Sequence, residues 1–343
     1  MTTTSNCHDA NQRLVIALGD PAGIGMEVTL KALADPQRPA NVSPLLVGCR
    51  ASLERAAQQL KERTQAPIAD PDGLEVDDQP IPGGPLEPGS AGSISGAASF
   101  QWLTRAVQLV QQGQGCALVT APIAKHAWHA AGHRYPGQTE RLAELEGGKR
   151  ASMLFTALSP QTGWRLNTLL ATTHIPLHQV ALRLSADLVE EKLDALTSFC
   201  LRFNSNPRLV VAGLNPHAGE QGQLGTEELD WLIPLLERWR LTHPNVTLLG
   251  PMPPDSCWLS AAQAWNQTPA PNSPDGLLAL YHDQGLIPVK LLAFDQAVNT
   301  TLGLSFLRTS PDHGTGFDIA GQGIARSASM LAAIEAAWQL SRA

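Results

Sequence analysis

Three histidines stand in the same local setting. His174 follows the apolar run LNTLLATT and precedes Ile175-Pro176; His217 follows RLVVAGLNP and precedes Ala218-Gly219-Glu220; His282 follows LLALY and precedes Asp283-Gln284-Gly285. Each lies just past the C-terminal end of a strand-like segment, the edge at which open α/β sheets bind ligands. Three imidazoles converging there would hold a divalent ion and leave positions open for substrate. One loop histidine alone would more readily be satisfied by its neighbours; the repetition is what points to a metal. A second histidine group, in KHAWHAAGHRYPG, places His126, His129 and His133 at helical i, i+3, i+7 spacing. There Gly132 and Pro136-Gly137 end the helix, which makes this the surface of a short helix instead of a ligand set.

Beyond His282 come Lys290, at what reads as the start of a strand VKLLAF, then Asn299 and Arg308. Lysine offers a point charge and arginine a planar fork for phosphate or carboxylate. Both border apolar runs, where an unpaired charge is costly to bury. An anionic ligand would resolve that cost, and so would an internal salt bridge. The segment SPDHGTGFDIAGQGIARSAS, 310–329, carries Gly314, Gly316, Gly321 and Gly323 around Asp318, a composition that can wrap a nucleotide through backbone contacts. Near the N-terminus, LVIALGDPAGIGMEVTLKAL reads as strand, glycine turn and helix. Its glycines, Gly19, Gly23 and Gly25, run G-x-x-x-G-x-G, and no acidic residue follows a second strand about 20 residues on, so it is not a Rossmann fingerprint. A glycine turn opening a helix can still face an anion.

These residues need a scaffold, and the chain alternates short apolar runs with helical patterns. The runs are LVIAL, PLLVG, CALVT, SMLFTA, LNTLLATT, RLVVAGL, VTLLG, LLALY and VKLLAF; the helical patterns cover 26–34, 52–63, 97–112, 139–145, 186–203 and 226–241. This alternation predicts an α/β fold with a largely parallel sheet, several of whose strands are covered on both faces. Residues 67–96 read as a long connection around one short strand, LEV, and 267–276 as an exposed loop. With 343 residues, 43% hydrophobic and 16% charged, the chain can build two lobes or one large body. A net charge of −7 without a basic stripe excludes nucleic acid as a partner. The polar start MTTTSNCHDANQR has no signal-peptide core, and no apolar stretch reaches the ~18 residues of a membrane span. The five cysteines lack C-x-x-C spacing, which fits a reducing, cytoplasmic setting.

The 310–323 loop resembles the H-G-S-A-P-D-I-A-G loop of the isocitrate and isopropylmalate dehydrogenases, which embraces the adenosine of NAD(P). Those enzymes open with G-D-G-I-G-P-E, where this chain has G-D-P-A-G-I-G-M-E. A closer match is carried by GDPAGIGMEV, TAPIAKHA, GQTERLAE, ATTHIPL, GLNPHAGEQGQLGTEE, YHDQGLIPVK and VNTTLGLSFLRTSPDHGTGFDIAG, in this order over nearly the whole chain. Together they resemble the 4-hydroxythreonine-4-phosphate dehydrogenase family of pyridoxal phosphate biosynthesis.

The resemblance implies a homodimer of two-lobed α/β/α subunits with an active-site cleft between lobes. By that analogy 1–132 with 295–343 form the cofactor-side lobe, and 133–294 the central lobe with metal ligands and dimer contacts. It implies zinc, with magnesium or cobalt as substitutes, on His174, His217 and His282, in a site shared between subunits. Substrate contacts fall at Gln138, Thr139, Lys290, Asn299 and Arg308. The family's G-H-T-E is here Gly137-Gln138-Thr139-Glu140, so Gln138 stands where the family has histidine and cannot carry an imidazolium's charge. Asp255, in GPMPPDS, matches a family aspartate near the metal. NAD or NADP is expected on Gly19, Asp20, Gly314, Gly316, Asp318 and Gly321. The implied reaction oxidises 4-phosphooxy-L-threonine at C3 and decarboxylates the product to 3-amino-2-oxopropyl phosphate; the proton acceptor is metal-bound hydroxide, Lys290 or Lys125. Rival readings are a dehydrogenase of threonate or erythronate 4-phosphate or of a cyclic diol, and a cofactor-free metal-dependent hydrolase. The hydrolase would leave the glycine loop without a task.

Overall fold

The computed structural model describes residues 13–148 and 150–342; Cys7 lies outside them. The strands are β1 (Arg13–Ala17), β2 (Ser43–Gly48), β3 (Glu75–Asp78), β4 (Ala117–Thr120), β5 (Ser152–Leu158), β6 (Arg165–Leu170), β7 (Arg208–Ala212), β8 (Thr247–Met252), β9 (Gly276–Ala279), β10 (Val298–Leu302) and β11 (Leu307–Pro311). The main helices are α1 (Gly25–Ala34), α2 (Arg50–Arg63), α3 (Ser93–Gln111), α4 (Lys125–Ala130), α5 (Gln138–Leu145), α6 (Ala186–Cys200), α7 (Ile233–Thr242), α8 (Leu259–Asn266), α9 (His282–Ala293) and α10 (Ala328–Leu340). The chain divides into two compact units, the first running to Ala151 and resuming over Val298–Arg342, the second covering Ser152–Ala297.

In the first unit the strand order is β3-β2-β1-β4-β11-β10. All pairs are parallel except the β10–β11 hairpin. Leu14, Val15, Ile16, Leu46, Val47, Leu118 and Val119 are fully buried, as strands covered on both faces require. The turn after β1 is built around Gly19, whose φ is +74° and whose missing Cβ would sit 2.3 Å from the Pro122 carbonyl oxygen. Only glycine permits that approach. At the far end of α1, a buried Lys31–Glu27 pair (2.8 Å) fastens the glycine-rich loop: Lys31 Nζ donates to the carbonyls of Gly323 (2.9 Å) and Ala325 (2.8 Å).

Residues 133–151 belong to this first unit and 295–297 to the second, whereas the family analogy placed the boundaries at 132 and 295. The contacts of 133–151 explain their placement. Arg141 lies 4.6 Å over the Phe100 ring and donates to Thr104 Oγ1 (3.3 Å), and Glu146 accepts from the Ser305 amide (2.8 Å). His133 stacks on Phe100 at 3.6 Å, beyond the end of α4, so the histidine-rich helix is a packed surface as its glycine and proline suggested.

The second unit has the order β5-β6-β9-β7-β8. The β5–β6 hairpin is antiparallel, whereas β6, β9, β7 and β8 run parallel. Its core gathers Phe155, Leu166, Leu170, Val210, Trp265, Leu277, Leu286 and Val289. Two expectations are corrected here. VKLLAF is no strand: it is the last part of α9, with Pro288 inside the helix. A short apolar run does not by itself separate strand from helix; here Leu286, Val289 and Ala293 are buried at helical spacing while Ile287, Leu291 and Phe294 are exposed. The 226–241 helix is divided into a π-helical turn, Glu228–Leu232, and α7.

Candidate functional site

The parallel strands of the second unit set the candidate metal ligands along one edge. From β6 through β9 and β7 to β8, the chain leaves the C-terminal strand ends into His174, His282, His217 and Asp255 respectively. His174 and His282 are neighbours, their rings 5.3 Å apart. His282 opens α9, and its Nδ1 lies 2.7 Å from Asp283 Oδ1, the kind of carboxylate contact that fixes the ring of a metal-ligating imidazole. Gln284, buried beside it, accepts from the Leu280 amide (2.6 Å) and donates to the Gly213 carbonyl (2.7 Å), tying the start of α9 to the end of β7. Among the described residues no group of three His, Cys, Asp or Glu side chains is placed so that it could hold a metal ion. His217 is exposed on the turn after β7, and Asp255 is exposed on the turn after β8. The donor set nonetheless fits a divalent ion in chemistry: imidazoles with a carboxylate behind one of them.

The turn that carries His217 is strained. His217, Ala218, Glu220 and Gln221 all have positive φ, between 44° and 55°. Left-handed backbone costs non-glycine residues roughly 1–2 kcal/mol each, so something must hold it. Glu228, 1% exposed, does so. Its Oε1 accepts from the amides of Leu214 (2.8 Å) and Asn215 (2.7 Å), and its Oε2 from Asn215 Nδ2 (2.8 Å). Glu228→Gln turns one acceptor into a donor facing these N–H groups. It is expected to lower unfolding free energy by about 2–3 kcal/mol and to weaken zinc binding; denaturant melts and a zinc titration measure the two. Unchanged values in both would show that the turn is held by other contacts.

Lys290 lies on α9, eight residues after His282 and therefore about 12 Å along the helix axis, with Nζ 5.4 Å from the Phe294 ring centre. It is a helix residue, not the strand-start residue expected.

The first unit holds the other candidates. Arg308, on β11, is 2% exposed. Its Nε and Nη2 donate to Thr120 Oγ1 (3.0 and 2.7 Å), Nη1 to Thr301 Oγ1 (3.2 Å) and Nη2 to Gln138 Oε1 (3.3 Å). Burial alone pushes its guanidinium down to about 10, so it stays charged at neutral pH. Of the two resolutions left open by the sequence, the internal salt bridge is absent: among the described residues every hydrogen-bond partner of Arg308 is a neutral oxygen. Gln138 uses its other end to donate to the Ala121 carbonyl (3.2 Å). Thr139 follows it in the first turn of α5, and the Lys125 side chain passes the same turn, its Cε 3.7 Å from where a Cβ on Gly137 would be. On β10, Asn299 Oδ1 is buried without a hydrogen-bond partner. Thr120, Thr301 and Glu228 were not singled out by sequence; the one signal for Thr120 was its place at the end of CALVT, on the ligand-binding edge.

The proposed cofactor residues separate into two groups. Asp20 is fully buried, accepting from the Ala22 amide (2.9 Å) and the Ser95 hydroxyl (3.2 Å), and desolvation raises its carboxyl above the usual range. It and Gly19 build the turn itself. The 312–323 loop faces outward more: Asp318 is exposed, and a Cβ on Gly314 would meet nothing within 4 Å. The loop is anchored to the start of α1 by the Ile24 amide on the Thr315 carbonyl (2.9 Å). His313 Nε2 in this loop is buried without a partner, an open polar position of the kind a nucleotide would fill.

Comparison with known proteins gives the chain's family. The family model described as pyridoxal phosphate biosynthetic protein PdxA matches residues 40–337. The chain is 63% identical to a 4-hydroxythreonine-4-phosphate dehydrogenase of Synechococcus sp. (strain RCC307), over 96% of this chain and 99% of that one. It is 36% identical to a D-threonate 4-phosphate dehydrogenase of Pectobacterium atrosepticum, over 96% and 99% of the two chains. The crystal structure of a 4-hydroxythreonine-4-phosphate dehydrogenase from Klebsiella pneumoniae superposes with a TM-score of 0.81 at 36% identity, covering 97% of this chain and 98% of that one. With the family model spanning most of its length, this chain belongs to the PdxA family of pyridoxal phosphate biosynthetic proteins.

Proposed function

We propose that the chain is a 4-hydroxythreonine-4-phosphate dehydrogenase, oxidising 4-phosphooxy-L-threonine at C3 and releasing its carboxyl group as carbon dioxide. The observation that carries this reading is Arg308, a buried cation with no carboxylate partner among the described residues, which fits an anionic substrate group. When bound, NAD would supply the hydride acceptor, and a divalent ion held by histidines would supply Lewis acidity. His174, His217 and His282 are the residues that would hold the ion, with Asp283 orienting His282. Asn299 presents a buried, unpaired amide oxygen suited to a donor such as the substrate ammonium. Lys290 and Lys125 are the side-chain candidates to take the hydroxyl proton. The 312–323 loop would hold the adenosine half of the cofactor, with His313 Nε2 as a buried polar atom without a partner.

A homodimer belongs to the same reading. On α9, Ile287, Leu291 and Phe294 are 59%, 81% and 60% exposed at helical spacing. A stripe of this kind fits burial against a second copy, and α9 also carries His282. Leu291→Asp is expected to shift the protein from dimer to monomer in light scattering and to reduce turnover with it. A dimer of unchanged mass and activity would place the interface elsewhere.

One observation favours a second reading. Gln138, neutral and already engaged with Arg308, stands where the family's histidine is expected, and the Pectobacterium relative is named for the non-aminated D-threonate 4-phosphate. Turnover of 4-phosphooxy-L-threonine and D-threonate 4-phosphate, side by side, decides. The proposal expects the aminated substrate to have the higher kcat/KM; the reverse order would assign the chain to the threonate reaction.

A further inference from the structure

A guanidinium has five N–H groups. In Arg308 the contacts to Thr120, Thr301 and Gln138 account for Nε–H, both Nη2–H groups and one Nη1–H. One Nη1–H is left over. Thr120 takes two of the four contacts on a single hydroxyl, at the end of β4, and is 1% exposed; Thr301 is 3% exposed. The fork is therefore held in one orientation by acceptors that do not reduce its charge. A carboxylate in any of these places would have matched the cation permanently and left little for a ligand to gain. With hydroxyls and an amide instead, the unliganded protein bears the cost of a buried, uncompensated charge, and an arriving anion recovers it.

We propose that Thr120 and Gln138 are positioning residues for the anionic group of the substrate, pinning Arg308 through neutral oxygens so that a phosphoryl group supplies the missing counter-charge. The inference rests on Arg308 contacting substrate, as argued under Proposed function. Thr120 orients the fork; Gln138 keeps the neighbourhood neutral, accepting from Nη2 while its own amide is fixed on the Ala121 carbonyl.

The test uses the full chain with metal and NAD, and inorganic phosphate as a competing probe. Thr120→Val keeps the shape and removes the acceptor; Thr120→Ser restores it; Gln138→Glu keeps an acceptor and adds a negative charge; Arg308→Lys keeps the charge and loses the fork. Thr120→Val is expected to raise KM and the phosphate inhibition constant by about 10-fold or more, with the change in kcat much smaller, and Thr120→Ser to return both close to the parent. Gln138→Glu is expected to raise both constants further, although it hydrogen-bonds Arg308 at least as well. Thermal melts of every variant confirm folding. If Arg308→Lys raises both constants while Thr120→Val and Gln138→Glu leave them unchanged, the positioning role is wrong and the Arg308 reading stands. If Arg308→Lys also leaves both unchanged, the reading and the inference fall together. A lowered melting temperature in Thr120→Val with unchanged KM overturns the proposal in favour of a purely structural hydroxyl.

Discussion

His217→Ala is expected to remove metal-dependent turnover while leaving the folded protein about as stable as before. The loss should exceed the 10–100-fold typical of disturbing an outer-shell partner of a metal ligand, because a ligand itself is lost. The stability expectation comes from the turn. His217 is exposed, sits at φ 51°, and is held from beneath by Glu228 contacts that do not involve its side chain. Alanine keeps that backbone and those contacts, so little packing is lost. Strain of this kind persists where the surrounding structure over-determines it, and it is most often found where function requires it. Zinc affinity by titration, kcat by NADH formation and the melting temperature separate the outcomes. Full activity with unaltered zinc affinity would remove His217 from the ligand set.

The second large effect is at Arg308. Arg308→Met is expected to lower kcat/KM by at least about 30-fold, since truncating one partner of a buried charge pair costs roughly 2–5 kcal/mol. The stability effect has the opposite sense. The folded state holds this guanidinium at about 10, below its ordinary value, because burial penalises its charged form. A base depressed in this way destabilises the fold while it is protonated, that is, below about 10. The penalty is relieved as pH rises above about 10 toward the ordinary value of an arginine. At neutral pH, therefore, removing the charge should leave the unliganded protein no less stable. Denaturant melts at neutral pH and steady-state kinetics check both halves. A variant with parent KM, or one that fails to fold, would contradict the assignment of Arg308 as a cation kept for an anionic ligand.

The sequence was most legible where both faces of a strand are buried. LVIAL, CALVT and RLVVAGL are β1, β4 and β7 with their flanks, and the histidines after β6, β7 and β9 do share one sheet edge. It was least legible where polar side chains line a buried surface. VNTTL and LRTSP carry little hydrophobic signal, yet they are β10 and β11, with Thr300, Thr301, Arg308 and Thr309 almost wholly buried. Their hydrophilic character comes from the residues that surround Arg308, and it hid the strands. The converse failure was VKLLAF, whose apolar residues face both the core and the outside of α9. Glu228 and Thr120 act through hydrogen bonds to residues 14 and 188 positions away in sequence, which no local pattern encodes.

The central claim is tested most directly by mixing the purified protein with 4-phosphooxy-L-threonine, NAD and zinc or magnesium, and following NADH absorbance with and without EDTA. The account predicts NADH formation that EDTA abolishes and added metal restores. No NADH from folded protein, with either the aminated or the non-aminated four-carbon phosphate, would contradict it.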